Sequence, residues 1–364
     1  MATHEAMVTT GIGTYDVLQY RSVPTPPLPP TSVRIKVLSA GVNNTDINTR
    51  IGWYDKEVTE DTNSTSTSDS SSKRNGYGDA PTPFPLIQGT DCAGRILEVG
   101  SDLQAQSSSL LNMRCLVASC QANVGWFGSD FDGGFQTLVT CDVKFVHPLP
   151  PACPLSDAQL GSIPCAYGTA ENMLIKVGVK AGDVVLVPGA SGGVGSAVVE
   201  LCGVAREGIT VLAIVGPGKR AEFLSRFAGD HNIEVFEGRH GSAAWGEVME
   251  KLKKRPSVVV DNVGGGGTMD LLGCLQQGGR YVTSGAIAGP VIPLDLRTLY
   301  LNDLTMVGST TWVPGVMENL VRYIADGNLN PHVHKTYPLR EMGKAQEEFL
   351  KKKHVGKIVL VTES

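Results

Sequence analysis

The segment Gly189-Ala190-Ser191-Gly192-Gly193-Val194-Gly195 limits what this chain can fold into more than any other stretch. An apolar run, Val184-Val185-Leu186-Val187, ends just before it, and a helix-forming run opens near Val194. Strand, glycine turn and helix in that order aim backbone N–H groups and the positive end of a helix dipole at one point, where a pyrophosphate binds. Gly189, Gly192, Gly193 and Gly195 let the backbone approach the phosphates and the helix pack on the strand, with Ser191 and Val194 completing the turn. This context predicts a nicotinamide-dinucleotide site. The motif by itself also fits a turn that holds nothing.

From about Leu155 onward, apolar strands alternate with helical stretches. Thr210–Val215, Glu234–Phe236, Ser257–Asp261 and Gly279–Ser284 read as strands, and Ser196–Cys202, Lys219–Phe227, Ala243–Lys253 and Met269–Gln276 as helices. That alternation predicts a parallel sheet covered by helices on both faces. The earlier part reads as short strands and turns. Val33, Ile35 and Val37 alternate within Thr31–Val42, which predicts a half-buried strand; 95–99, 115–119 and 136–140 are further strand-like runs. Prolines at 24, 26, 27, 29 and 30 predict a stiff, extended connection. Thr62–Lys73 contains no apolar residue, so positions about 57–82 read as a flexible surface insertion. The last stretch reads as helices at Val316–Ala325 and Glu341–Lys352 and a closing strand, Lys357–Val361.

With 364 residues, 41% of them hydrophobic and 18% charged, the chain has core enough for two globular domains. Its net charge of -5 gives no electrostatic reason to expect nucleic acid or an anionic membrane as a partner. No apolar stretch approaches the roughly 18 residues of a membrane span, and the N-terminus lacks the pattern of a secretory signal. Eight scattered cysteines with no C-x-x-C pair predict reduced thiols in the cytoplasm.

The end of the second strand of the alternating region distinguishes the two nicotinamide cofactors. An NAD site places an acid about 20 residues past the glycine turn, on the ribose 2′-hydroxyl. This chain has Ala213-Ile-Val-Gly-Pro-Gly-Lys-Arg220 there, without an acid. Lys219 and Arg220 are suited to a 2′-phosphate and point to NADPH; both also fit a solvated helix start.

Several further motifs carry a family resemblance: Ala40-Gly-Val-Asn-Asn-Thr-Asp46, Gly89-Thr-Asp-Cys-Ala-Gly94, Pro164-Cys-Ala-Tyr-Gly-Thr-Ala170, Asp261-Asn-Val-Gly264 and Gly356-Lys357. With the glycine turn they resemble the medium-chain dehydrogenase/reductases over nearly the whole chain, the insertion apart. The resemblance implies an α/β architecture: a β-rich GroES-like catalytic domain over 1–164 and 310–364, and a Rossmann NADP-binding domain over 165–309. Where the zinc enzymes of the superfamily carry a catalytic Cys and a ligating His, this chain has Asn43 and Thr90, and only Cys165 falls at a position resembling a third ligand. Zinc needs three protein ligands in a catalytic site, so none is expected here, even with Asp91 counted.

Asn43, Asp46 and Tyr54 instead resemble the quinone oxidoreductase and enoyl reductase branch. There the resemblance gives Asn43 the orientation of substrate or nicotinamide and Tyr54 a proton or hydrogen bond for an enolate. A neutral phenol fits that task, though Tyr54 equally fits a pocket wall. Asp46 fits the same site or a purely local hydrogen bond. The resemblance also places Thr169 against the nicotinamide, Asn262 with Ser284, Gly285 and Ala286 at its ribose and carboxamide, and Lys357 near the cofactor phosphates. Trp53, Trp126, Phe127 and Phe131 are candidates for the substrate wall or for core. His332 and His334 read as a surface pair, and Gly264–Gly267 either as a flexible turn at a strand end near which ligands bind in open α/β sheets or as a simple linker. The chain is thus expected to be a zinc-independent, NADPH-dependent reductase of a quinone or an activated double bond, acting as a homodimer. An alcohol or carbonyl dehydrogenase, and a non-catalytic NADPH-binding partner or sensor, are the rival readings.

Overall fold

The computed structural model describes residues 2–64, 81–204, 208–227, 232–238, 246, 250 and 255–363. The N-terminal part holds strands β1 (Thr3–Thr9), β2 (Leu18–Pro24) and β3 (Ser32–Gly41), helix α1 (Asn44–Ile51), and strands β4 (Leu86–Ile87) and β5 (Ala93–Val99). It continues through β6 (Arg114–Val117), β7 (Cys120–Gln121), β8 (Gly125–Trp126), β9 (Leu138–Asp142) and β10 (Val146–Pro148). β1 pairs antiparallel with both β2 and β4, while β3 takes β5 and β9 as antiparallel neighbours. β1 and β2 lie outside the strands expected from the sequence, because polar residues interrupt their alternation. Val33, Ile35 and Val37 are buried as the alternation predicts, yet Arg34 and Ser39 on the other face are buried too. β3 is therefore covered on both sides, not half-buried. Arg34 tolerates this because its Nε meets Glu98 at 2.9 Å and its guanidinium donates to the Pro26 carbonyl at 3.1 Å, which also ties the proline segment to the sheet.

α1 follows β3 almost directly. The Asp46 carboxylate accepts from the Asn43 backbone N–H at 2.7 Å, the returning half of a capping box, and Gly52 ends the helix at φ 71°. Thr62, the first residue of the apolar-free run, is buried and donates to Asn48 at 3.1 Å, so that run is not all surface. Positions 65–73 of it lie outside the described residues, as does the expected helix Ala243–Lys253 apart from 246 and 250.

The middle of the chain runs α2 (Pro164–Lys176), β11 (Val184–Pro188), α3 (Gly193–Val204), β12 (Thr210–Val215), α4 (Arg220–Arg226) and β13 (Ile233–Glu237). β14 (Val258–Asp261), α5 (Thr268–Cys274), β15 (Arg280–Thr283), α6 (Leu296–Leu301) and β16 (Thr305–Gly308) complete it. The six strands lie parallel in the order β13-β12-β11-β14-β15-β16, the doubly wound arrangement that the alternation predicts. Its crevice opens where the order reverses, beyond the C-terminal ends of β11 and β14. The stretch after β15 is divided between a helix and a strand. Asp295 caps α6 by accepting from the Arg297 backbone N–H at 2.9 Å, so Leu299 to Leu301 finish a helix and only Thr305–Gly308 pairs with β15.

After α7 (Val316–Ala325), β17 (Val333–Pro338) and α8 (Met342–Leu350), strand β18 (Lys357–Val361) inserts between β3 and β17. The C-terminal strand thereby rejoins the N-terminal sheet and carries Lys357 to the crevice. No helix among the described residues is long and apolar enough to cross a membrane.

Candidate active site

The glycine turn takes the form its sequence implies. Gly189 sits at φ 66°, and a β-carbon on Gly195 would collide with the Gly189 carbonyl. The Gly192 N–H donates to that same carbonyl at 2.9 Å, and α3 starts at Gly193 with its first N–H groups unclaimed by the helix. Val194 packs against the main core, while the Ser191 carbonyl accepts from the Gly356 N–H at 2.9 Å. The turn is therefore pinned from the C-terminal segment, one residue before Lys357.

At the other end of the crevice, α2 presents Thr169 and, one turn on, Met173 along one face. The Ser284 hydroxyl lies 3.1 Å from Met173 Sδ and donates to Asn262 Oδ1 at 2.5 Å, which brings Asn262 and Ser284 together one helical turn from Thr169. Gly285 and Ala286 follow on the same loop. Gly264–Gly267 is more than a linker: a β-carbon on Gly264 would lie 2.9 Å from Ala286 Cα, and the Asp261 carboxylate accepts from Val263 at 2.7 Å and from the Tyr281 hydroxyl at 2.7 Å. An aromatic pair packs on α2 at Gly168. A β-carbon on Gly168 would collide with the Trp312 ring, which meets Trp126 edge-on at 5.9 Å. Trp312 is absent from the sequence reading, where nothing marks it as facing α2. Phe127 is fully inside the core.

Asn43 is 7% exposed and its amide is heavily committed. Nδ2 donates to Asp91 at 2.7 Å, with the Thr90 hydroxyl and the Gly41 carbonyl each at 3.2 Å, and Oδ1 accepts from the Lys357 ammonium. No amide hydrogen of Asn43 is left for a substrate oxygen in this arrangement. Lys357, expected at the cofactor phosphates, turns its ammonium inward instead: it pairs with Asp91 Oδ2 at 3.2 Å with both side chains buried. The other Asp91 oxygen accepts from the Cys165 backbone N–H at 2.6 Å.

Tyr54 is half-buried, stacks edge-on against Trp53 at 5.6 Å and donates to the Thr45 hydroxyl at 3.0 Å, two residues along α1 from Asn43. Asp46 is wholly buried, and burial pushes its carboxyl up to about 7; one oxygen caps α1 and the other, Oδ1, has no hydrogen-bond partner.

The basic pair at the end of β12 separates. Lys219 donates to the His354 carbonyl at 2.8 Å, whereas Arg220 sends its guanidinium to the Val235 carbonyl at 3.1 Å. Beside Lys219 stands Lys352, missed in the sequence because Lys351-Lys352-Lys353 reads as an ordinary helix end. Its ammonium donates to Asn44 at 2.9 Å, and burial, with Lys219 next to it, pushes it down to about 7. Burial first, and then the charges of Lys219 and Lys352, push His354 down to about 3. Lys219 thus stands near enough to Lys352 to disfavour its charged form.

The donors do not fit zinc. Asn43 and Thr90 present an amide and a hydroxyl, burial pushes the Cys165 thiol up to about 12, and Asp91 already holds an ammonium. Among the described residues no three His, Cys, Asp or Glu side chains converge on a metal-sized position.

Comparison with known proteins bears on the family. The alcohol dehydrogenase GroES-like domain profile matches residues 29–151, and the zinc-binding dehydrogenase profile matches residues 234–360. A solved alcohol dehydrogenase-like structure from Sinorhizobium meliloti 1021 is 36% identical, covers 99% of this chain and 97% of its own, and superposes with a TM-score of 0.84. Acryloyl-coenzyme A reductase of Metallosphaera sedula is 27% identical over 77% of this chain and 84% of its own length. The human synaptic vesicle membrane protein VAT-1 homolog is 26% identical over 98% of this chain and 86% of its own.

Proposed function

Since the chain belongs to the medium-chain dehydrogenase/reductase superfamily, in its quinone and enoyl reductase-like branch, we propose that it is a zinc-independent, NADPH-dependent reductase of a quinone or of a double bond activated by a carbonyl. The observation that carries this reading is the donor set around Asn43. An amide, a hydroxyl, a protonated thiol and a carboxylate bound to lysine supply no Lewis acid. An isolated ketone then has little to polarise it. A conjugated acceptor spreads the incoming negative charge over several atoms and needs only a hydrogen-bond donor at its oxygen.

NADPH, when bound, supplies the hydride, and the protein supplies orientation and electrostatics. Residues 189–195 take the pyrophosphate. Thr169, Asn262 and Ser284, with the main chain of Gly285 and Ala286, hold the nicotinamide end. Lys219 and Lys352 take the 2′-phosphate, with Arg220 on its rim. The Tyr54 hydroxyl donates to the oxyanion that forms on the acceptor once the Thr45 hydroxyl rotates, reverses their hydrogen bond and becomes its donor. Asn43 orients the floor of the pocket through Asp91 and does not itself bind the oxyanion, while Asp46 fixes the start of α1. The name of the Metallosphaera relative favours an enoyl thioester among the acceptors. The Sinorhizobium structure, similar to an alcohol dehydrogenase, keeps carbonyl reduction as the second reading.

The test is metal analysis of purified protein together with NADPH and NADH oxidation against enoyl thioesters, enones, quinones, ketones and aldehydes. We expect turnover of conjugated acceptors with NADPH that a chelator leaves intact. Stoichiometric zinc and loss of activity on chelation would sink the proposal. Tight NADPH binding without oxidation by any acceptor would favour a sensor.

A further inference from the structure

Lys357 reaches its position by an unusual route. A β-carbon on Gly193, the first residue of α3, would lie 2.7 Å from Lys357 Cδ, and one on Gly41, at the end of β3, would lie 3.0 Å from Lys357 Cε. The aliphatic stem is thus threaded between two glycines, one on the cofactor turn and one on the catalytic sheet. At its tip the ammonium has three hydrogens and three oxygen acceptors: Asp91 Oδ2 at 3.2 Å, the Val42 carbonyl at 3.3 Å, and Asn43 Oδ1. The side chain is 4% exposed, and that of Asp91 is fully buried. A buried ammonium satisfied this completely is not waiting for a phosphate.

We infer that Lys357 is the resident cation of this site. It stands among the side chains that would have to hold a metal, neutralises Asp91, and fixes the Asn43 amide between them. The stem couples that cluster to the cofactor turn, and the charge organises it. Lys357 is therefore a positioning residue with two separable parts: the stem supports the turn that receives the dinucleotide, and the ammonium orients Asn43, Asp91 and, through the Asp91 bond to its backbone, Cys165. This role extends the reductase reading above. It also fits the chemistry of the donor set, because Asp91, the carboxylate bonded to both Asn43 and the Cys165 backbone, is already balanced by an ammonium.

The two parts can be tested apart in the full-length protein. Lys357→Met keeps most of the stem and removes the charge; Lys357→Ala removes both. NADPH binding is measured by equilibrium dialysis, acceptor turnover by steady-state kinetics, and metal uptake by titration with Co²⁺. In Lys357→Met we expect an unchanged NADPH dissociation constant and a fall in kcat on the order of 100-fold, since displaced site groups cost about that much. In Lys357→Ala, NADPH binding weakens as well, and Lys357→Arg recovers part of kcat. The Lys357→Met/Asp91→Asn double variant controls for folding: its buried pair is neutral, so it melts near the parent, yet its kcat stays low. The inference is overturned by a large loss of NADPH affinity in Lys357→Met, by full recovery of kcat in the double variant, or by tight stoichiometric Co²⁺ binding to the parent protein. If the parent reduces no acceptor, the reductase reading fails, while dialysis and Co²⁺ titration still judge Lys357.

Discussion

Asp46 is the residue whose chemistry departs furthest from its sequence context. In Asn44-Thr45-Asp46 it looks like an ordinary helix-start acid, but folding buries it completely and raises its carboxyl to about 7. A carboxyl whose folded value lies above its unfolded one holds its proton longer in the native state. Its stabilising contribution is full below the unfolded value near 4 and is lost as pH rises through about 7. Asp46→Asn keeps an acceptor for the Asn43 N–H and removes the titration. Its stability relative to the parent should rise between pH 4 and pH 7, by up to about 4 kcal/mol, as read from denaturant midpoints at each pH. A difference that is flat across that window would show that Asp46 ionises as if exposed.

At the scale of elements, the sequence was most informative where one element decides the outcome alone. The run Val184–Val187, the glycine turn and the start of α3 are local, so backbone sterics and apolar patterning predict them together. Legibility fails where two distant elements share a site. The turn between α8 and β18 brings Lys352 and His354 against Lys219, a neighbourhood set by β18 pairing with β3 and not by any spacing in the chain. Arg220 shows the converse: adjacent to Lys219 in sequence, it points its guanidinium to another strand. Trp312 lies on Gly168 only because the segment after β16 folds back on α2. A prediction for the cofactor follows from this grouping. Lys219→Ala and Lys352→Ala should each raise the NADPH dissociation constant about 10-fold or more and leave NADH nearly unchanged, whereas Arg220→Ala should do less. Equal losses for the two cofactors in calorimetric titrations would remove the 2′-phosphate from this pair.

For the whole molecule, the parallel sheet ends at β16, whose free edge carries no covering strand among the described residues. Met306 on that strand, Leu296, Tyr300 and Leu301 on the neighbouring α6, and Val291 before it are exposed large apolar side chains. Grouped at a sheet edge, they suit pairing with a second copy of this chain far better than water. We expect a homodimer in sedimentation experiments, and Tyr300→Glu with Leu301→Glu should shift it to monomer. A parent protein that sediments as a monomer at micromolar concentration would refute that expectation.

The position of β18 has a further consequence for how the chain matures. β18 fills the slot beside β3, although almost the whole length of the chain separates the two strands. During synthesis the 39–41 end of that β3 edge must wait for β18 until the ribosome has made nearly everything else, whereas positions 32–36 already pair with β9. Sheet closure of such long range is slow, and the waiting strand is exposed to misassociation. Chaperone dependence, and sensitivity to truncations that end before Lys357, should therefore be marked in this protein even though each of its two larger sheets is ordinary.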